Sequence, residues 1–174
     1  MIENEIESGK NEIRKLLSSY RTRENDLVKK FFTPCFNFCN KYQRAAGYFS
    51  STALVTWASL LERLESEDIF IELLISPELQ PDDINALKNA TSYDIKKEKL
   101  QSISDAVIAK FIEDTSDKKA RLDAFSWLIL NEKLKIKFAY PMHQEDSDLF
   151  HQKTGVFYFP WGDIVAFEGS ANES

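Results

Sequence analysis

The stretch that most restricts what this chain can fold into is "DIFIELLIS", Asp68 to Ser76, which stops at Pro77. It is a short run of β-branched, aromatic and long aliphatic residues, too brief for a buried helix and bounded by a breaker. Such a run reads as a buried strand. A buried strand needs covering elements, and its neighbours in the sequence supply them. "TALVTWASLLERLES" before it has helical periodicity, with Ser50 or Ser51 available as a cap and Leu54, Trp57, Leu61 and Leu64 on one face. "QPDDINALKNA" after it opens with Pro81 and acids, the chemistry of a first helical turn. "EKLQSISDAVIAKFIEDT" and "KKARLDAFSWLILNEK" are two longer helical patterns.

The remaining elements follow the same rules. "IENEIESGKNEIRKLLSSY" places Ile2, Ile6, Ile13, Leu16 and Leu17 as an amphipathic helix would. "DLVKKFFTPCFNFCN" is an aromatic helix expected to kink or restart at Pro34. "YQRAAGYF" is a short strand. "LKIKFAYP" alternates Leu134, Ile136 and Phe138 with Lys135 and Lys137, the pattern of a half-exposed strand. "FHQKTGVFYF" and "DIVAFEGS" flank the turn signature "PWGD" and form a closing hairpin. The predicted fold class is therefore α/β (α+β), a mixed sheet flanked by helices in a single domain.

Length and composition agree. A chain of 174 residues can bury a full core, and 43% hydrophobic with 29% charged residues is ordinary for a globular domain. No apolar run approaches the roughly 18 residues of a membrane helix. "MIENEIESGKNEIRK" is polar and acidic, unlike a secretory signal, so a cytoplasmic protein without membrane partners is expected. The net charge is −6, so any nucleic acid must meet a local basic patch rather than the whole surface.

The closing hairpin carries the chemistry. His151-Gln152-Lys153 puts an imidazole and an ammonium on one strand face, because strand side chains alternate. Gly169-Ser170-Ala171-Asn172 gives Ser170 and Asn172 the same spacing. If the strands pair, one sheet edge holds His151, Lys153, Ser170 and Asn172. That set suits an anionic phosphate: Lys supplies charge, Ser and Asn supply neutral donors, and His attacks or moves a proton.

His-x-Lys followed across a hairpin by Gly-Ser-x-Asn resembles the signature of the phospholipase D superfamily. The branch it is most similar to is the HKD-type nuclease domain at the N-terminus of bacterial DEAD/DEAH-type helicases and restriction-type proteins. "AAGYFSSTAL" looks like that branch's first strand and turn, "IELLISPEL" like its second strand, and "QPDDINAL" like the helix start after it. The resemblance spans residues 25–174, with residues 1–24 as an N-terminal helical extension.

The resemblance implies a phospholipase D/nuclease-like fold and a phosphodiesterase that needs no metal or other cofactor. It implies His151 as the nucleophile forming a phosphohistidine, with Lys153 and Asn172 on the phosphate oxygens and Ser170 as a hydrogen-bonding neighbour. A second histidine, from a second motif copy, protonates the leaving oxygen. One copy is present here, so a homodimer is expected, its two-fold axis near the paired His151 side chains. Nucleic acid, with DNA as the expected substrate, and a helicase or ATPase region in the same longer chain are the implied partners. The family fold normally continues past this asparagine, so the domain is expected to be truncated at its C-terminus. The family's longer signature has an Asp where this chain has Tyr158; Asp163, Glu168 and Glu173 are the acids near enough to orient neighbours. The alternative function is a catalytically idle module of the same type, for nucleic-acid binding or dimerisation.

Blander readings hold elsewhere. Cys35 and Cys39 are expected to be buried thiols. His143, Glu145, Asp146, Asp148 and His151 match no strong metal-ligand spacing and read as a solvated loop. Trp57, Phe125 and Trp127 are expected in the core, while Phe157, Phe159 and Trp161 fit either the core or a dimer partner. Lys118 to Arg121 with Lys133, Lys135 and Lys137 is the notable basic cluster, either solvated surface or a groove for a nucleic-acid backbone.

Overall fold

The computed structural model describes residues 2–21, 26–47, 63–64, 69–76, 89, 92–115, 119–140 and 153–169. Its centre is a mixed five-stranded sheet of β1 (Lys41–Ala46), β2 (Phe70–Ile75), β3 (Leu134–Phe138), β4 (Thr154–Tyr158) and β5 (Ile164–Glu168), in the order β3-β2-β1-β4-β5. β1, β2 and β3 run parallel, while β4 lies antiparallel to β1 and β5 antiparallel to β4. Parallel neighbours need long crossovers and antiparallel ones need only a turn. The chain obeys both: long segments separate β1, β2 and β3, and five residues, Phe159 to Asp163, join β4 to β5. The helices described are α1 (Ile2–Arg14), α2 (Thr33–Phe38), α3 (Tyr93–Thr115) and α4 (Lys119–Leu130), with one π-helical turn at Val28–Phe32. None is long and apolar enough to cross a membrane. The α/β single domain expected from the sequence is the architecture found.

Alternation sorts the strands into two faces. Tyr42, Arg44 and Ala46 of β1, Ile71, Leu73 and Ile75 of β2, and Gly155 and Phe157 of β4 are buried, and the residues between them are half-buried. The inner face packs on the π turn and α2 through a cluster of rings. Phe157 stacks on Tyr42 with centroids 4.6 Å apart and meets Phe36 edge-on at 5.2 Å. Phe167 of β5 meets Phe31 and Phe32 edge-on at 5.3 and 5.4 Å. Aromatic pairs add about 0.5–1.5 kcal/mol each beyond their area burial, so this cluster fixes how the hairpin sits on the helices. Phe157 and Phe159 thus belong to this chain's own core.

Pro34 marks the expected helix restart, at the first turn of α2. Proline has no N–H to give to the carbonyl four residues back. That carbonyl, of Lys30, accepts from the Tyr20 hydroxyl at 3.4 Å instead. Cys35 and Cys39 are fully buried free thiols, as expected, and burial, then the neighbouring Cys39, pushes the Cys35 thiol up, away from the reactive thiolate. α4 brings Phe125 and Leu128 into the core, three residues apart on one face. Trp127 does not join them: one residue from Leu128 it is turned by about 100°, and it is 37% exposed, which corrects the expectation that it is core.

The N-terminal segment read as an extension is packed on the domain. Ile13, Leu16 and Tyr20 touch the core cluster. Gly9 of α1 is buried where a Cβ would come within 2.8 Å of the Trp161 ring and 2.9 Å of Phe38. The missing side chain lets α1 lie against the hairpin's turn.

That turn is the "PWGD" signature. The Gly162 N–H donates to the Phe159 carbonyl at 2.9 Å and the Phe159 N–H to the Asp163 carbonyl at 3.0 Å. Pro160 takes the position where its fixed φ is pre-set, and Gly162, at φ 94°, takes the left-handed position that follows. Trp161 stacks on Phe159 at 5.0 Å, and its indole N–H donates to Asp163 Oδ2 at 2.8 Å.

Candidate functional site

The hairpin register decides which sequence candidates meet. Thr154 pairs with Glu168, and the ladder runs one step further, where the Gly169 N–H donates to the Lys153 carbonyl at 3.1 Å. His-x-Lys and Gly-Ser-x-Asn therefore enter from two adjacent strands at one end of the hairpin. His151, Ser170, Asn172 and Glu173 lie outside the described residues. The loop acids considered for metal, with His143, and Trp57 and Lys118 also lie outside the described residues.

This end of the hairpin coincides with the carboxyl ends of the parallel strands. Ala45, near the end of β1, pairs with Thr154. The Ser76 N–H, just past β2, donates to the Ala46 carbonyl at 3.4 Å. Open α/β sheets bind ligands outside the carboxyl ends of their strands, where strand order reverses. Here β2 lies on one side of β1, parallel to it, and β4 on the other, antiparallel.

Two buried polar residues gather at the same end and were missed in the sequence. Arg44 is 4% exposed and Ser76 5%. Arg44 pairs with Gly155, and its guanidinium lies 5.0 Å over the Phe167 ring. The signal for Arg44 was present: it occupies an inward position of β1, between Tyr42 and Ala46.

Asp163 is not part of this site. It closes the turn at the opposite end of β4 and β5 from Lys153, about 17 Å away for five strand residues, and its carboxylate accepts from Trp161. Its proposed orienting role is corrected accordingly. Glu168 is exposed and pairs with Thr154, on the sheet face opposite Phe167. Alternation puts Lys153 on the inner face with Gly155 and Phe157, and Glu168 on the outer one.

Tyr158, which stands where the resembling family has an acid, is also on the outer face. Its hydroxyl donates to Gln43 Oε1 at 2.7 Å, and the Gln43 amide donates to Glu72. Lys41 and Lys137 each reach Glu72 at 3.1 Å, and the Lys41 ammonium lies 5.6 Å over the Tyr158 ring. The network ties β4, β1, β2 and β3 across the sheet. Lys135 and Lys137 are exposed beside it.

The Glu72 carboxyl is pulled from its ordinary 4.5 down to about 2, first by the Gln43 amide and then by Lys41 and Lys137. A depressed carboxyl stabilises the fold above its unfolded value, and that stability is lost as pH falls through 4.5 toward 2. The pair partners are partly exposed, so screening leaves on the order of 1 kcal/mol. Glu72→Gln should therefore lower the thermal midpoint at pH 7 and lose that difference near pH 2. Thermal melts of both proteins across this range measure it; parallel curves at every pH would show that Glu72 carries no such linkage.

Compared with family models, curated proteins and solved structures, the chain matches none.

Proposed function

We propose that this domain is a phosphodiesterase of the phospholipase D type that cleaves DNA, without a metal, as part of a helicase or restriction-type protein. The observation that carries the reading is the Lys153–Gly169 pairing. It sets Lys153, the last residue of one motif, beside Gly169, the first of the other, near the carboxyl ends of the parallel strands, which supports a shared site. His151 attacks phosphorus through an imidazole nitrogen, and the bond from phosphorus to the leaving oxygen breaks. The histidine of a second copy gives that oxygen its proton, and the phosphate stays on His151 until water displaces it. Lys153, Ser170 and Asn172 hold the non-bridging oxygens, where negative charge must be balanced. A homodimer supplies the second histidine.

The test is cleavage of a DNA oligonucleotide and of bis-p-nitrophenyl phosphate in excess EDTA. Cleavage should persist, and quenched reactions should hold an acid-labile, base-stable phosphoryl label on the protein. Cleavage that requires a divalent ion and depends on His143 and Asp148 would replace this reading by a metal site.

A second reading is favoured by Tyr158. Its hydroxyl belongs to the outer-face network, so no acid is supplied at that position. In that reading the domain binds phosphodiesters or dimerises without cutting. It predicts no turnover, with DNA binding that Lys153→Ala weakens.

A further inference from the structure

Arg44 is the single charged residue among the buried ones described, and the proposed chemistry leaves it without a task. Removing a charge from water costs several kcal/mol unless its surroundings compensate. Its place in the fold is specific. Arg44 is paired with Gly155, two residues along β4 from Lys153, and all three occupy the inner face by alternation. Its guanidinium lies 5.0 Å over Phe167, whose residue is two positions from Gly169. The Phe167 ring in turn lies over Gly155, where a Cβ would meet it at 2.3 Å. Arg44, Gly155 and Phe167 thus form one layer directly beneath the Lys153–Gly169 pair.

We propose that Arg44 is the positioning cation of the phosphate site. Its buried charge stands behind Lys153 and adds to the potential that attracts an anion, and its stacking on Phe167 holds the open end of the hairpin. This rests on the phosphate-site reading above. Strand geometry puts the Cα atoms of Arg44 and Lys153 within about 10 Å. Arg44 is 4% exposed, so its charge at that range is screened less than a surface charge would be. Arginine suits the task because it stays charged and stacks on aromatic faces.

The experiment is a titration of the chain with inorganic phosphate, followed by the imidazole NMR signals. The chain has two histidines, His143 and His151, so the spectrum is simple to assign. Arg44→Met should weaken phosphate binding at least about fivefold. Arg44→Lys should recover most of that loss, since it keeps the charge. A merely structural Arg44 would change the melting midpoint and leave the affinity of the folded protein unmoved. Arg44→Gln serves as a second neutral variant should Arg44→Met unfold. A folded neutral variant that binds phosphate as wild type does would overturn the proposal, as would unfolding of both neutral variants. A wild-type chain whose His151 signal ignores phosphate fails the phosphate-site reading itself, which separates the two failures.

Discussion

His151→Ala should abolish phosphodiester cleavage, by about a thousandfold or more, and leave the far-UV circular dichroism of the protein unchanged. A covalent nucleophile has no substitute within its own mechanism, so its removal closes the path rather than slowing it. Lys153→Ala should cost about a hundredfold to a thousandfold, the usual scale for one lost charge-stabilising contact in the transition state. The two variants should differ in kind as well as size. Without Lys153, the phosphoryl label on His151 should still form slowly. Without His151, no label should form at any time. His143→Ala is the internal control, since it removes the other histidine of the chain and should leave both rate and label in place. A full rate in His151→Ala would end the phosphohistidine mechanism, whatever the metal dependence.

The proposal rests on the spacing of two short motifs, and spacing is the part that strand geometry preserves. The hairpin was legible because its turn has explicit chemistry: Pro160 with a preset φ and Gly162 for the left-handed position. β2 was legible as a strand because a short apolar run admits few other readings. Its buried face is Ile71, Leu73 and Ile75, while Glu72 lies on the half-buried face, held by Gln43, Lys41 and Lys137. Those three partners come from two other strands, so the sequence around Glu72 had no means of announcing them. Gly9 is a similar case. Within a helix a glycine looks like a local weakness. Its reason is the Trp161 ring, far along the chain. Arg44 passes unnoticed in the sequence, although it falls on an inward position of β1. Its meaning needed Phe167 and Gly155 beside it, and those come from β5 and β4.

Gly155→Ala should destabilise the fold by about 1–3 kcal/mol, the usual penalty for overpacking a filled core. At this chain length that lowers the thermal midpoint by roughly 2–12 °C. The added methyl would sit 2.3 Å from Cε1 and 2.5 Å from Cζ of Phe167, and 3.3 Å from the Gln43 carbonyl oxygen. A ring tip can often swing aside, which would make the change cheap. This ring cannot do so freely. Phe31 and Phe32 stand edge-on to it, Phe157 lies stacked 5.9 Å away, and the Arg44 guanidinium covers it. Phe167→Leu should relieve the clash, so the double variant should be more stable than the sum of the single losses predicts. A positive coupling of about 1 kcal/mol in a double-mutant cycle would match this packing; additive losses would mean that the ring moves away at no cost. The same methyl also tests the site. Gly155 is two residues from Lys153, so a displaced Phe167 shifts the strand that presents the ammonium. Gly155→Ala should lose phosphate affinity below its melting temperature, and the added Phe167→Leu should relieve the clash without returning the Arg44 stacking that holds the hairpin's open end.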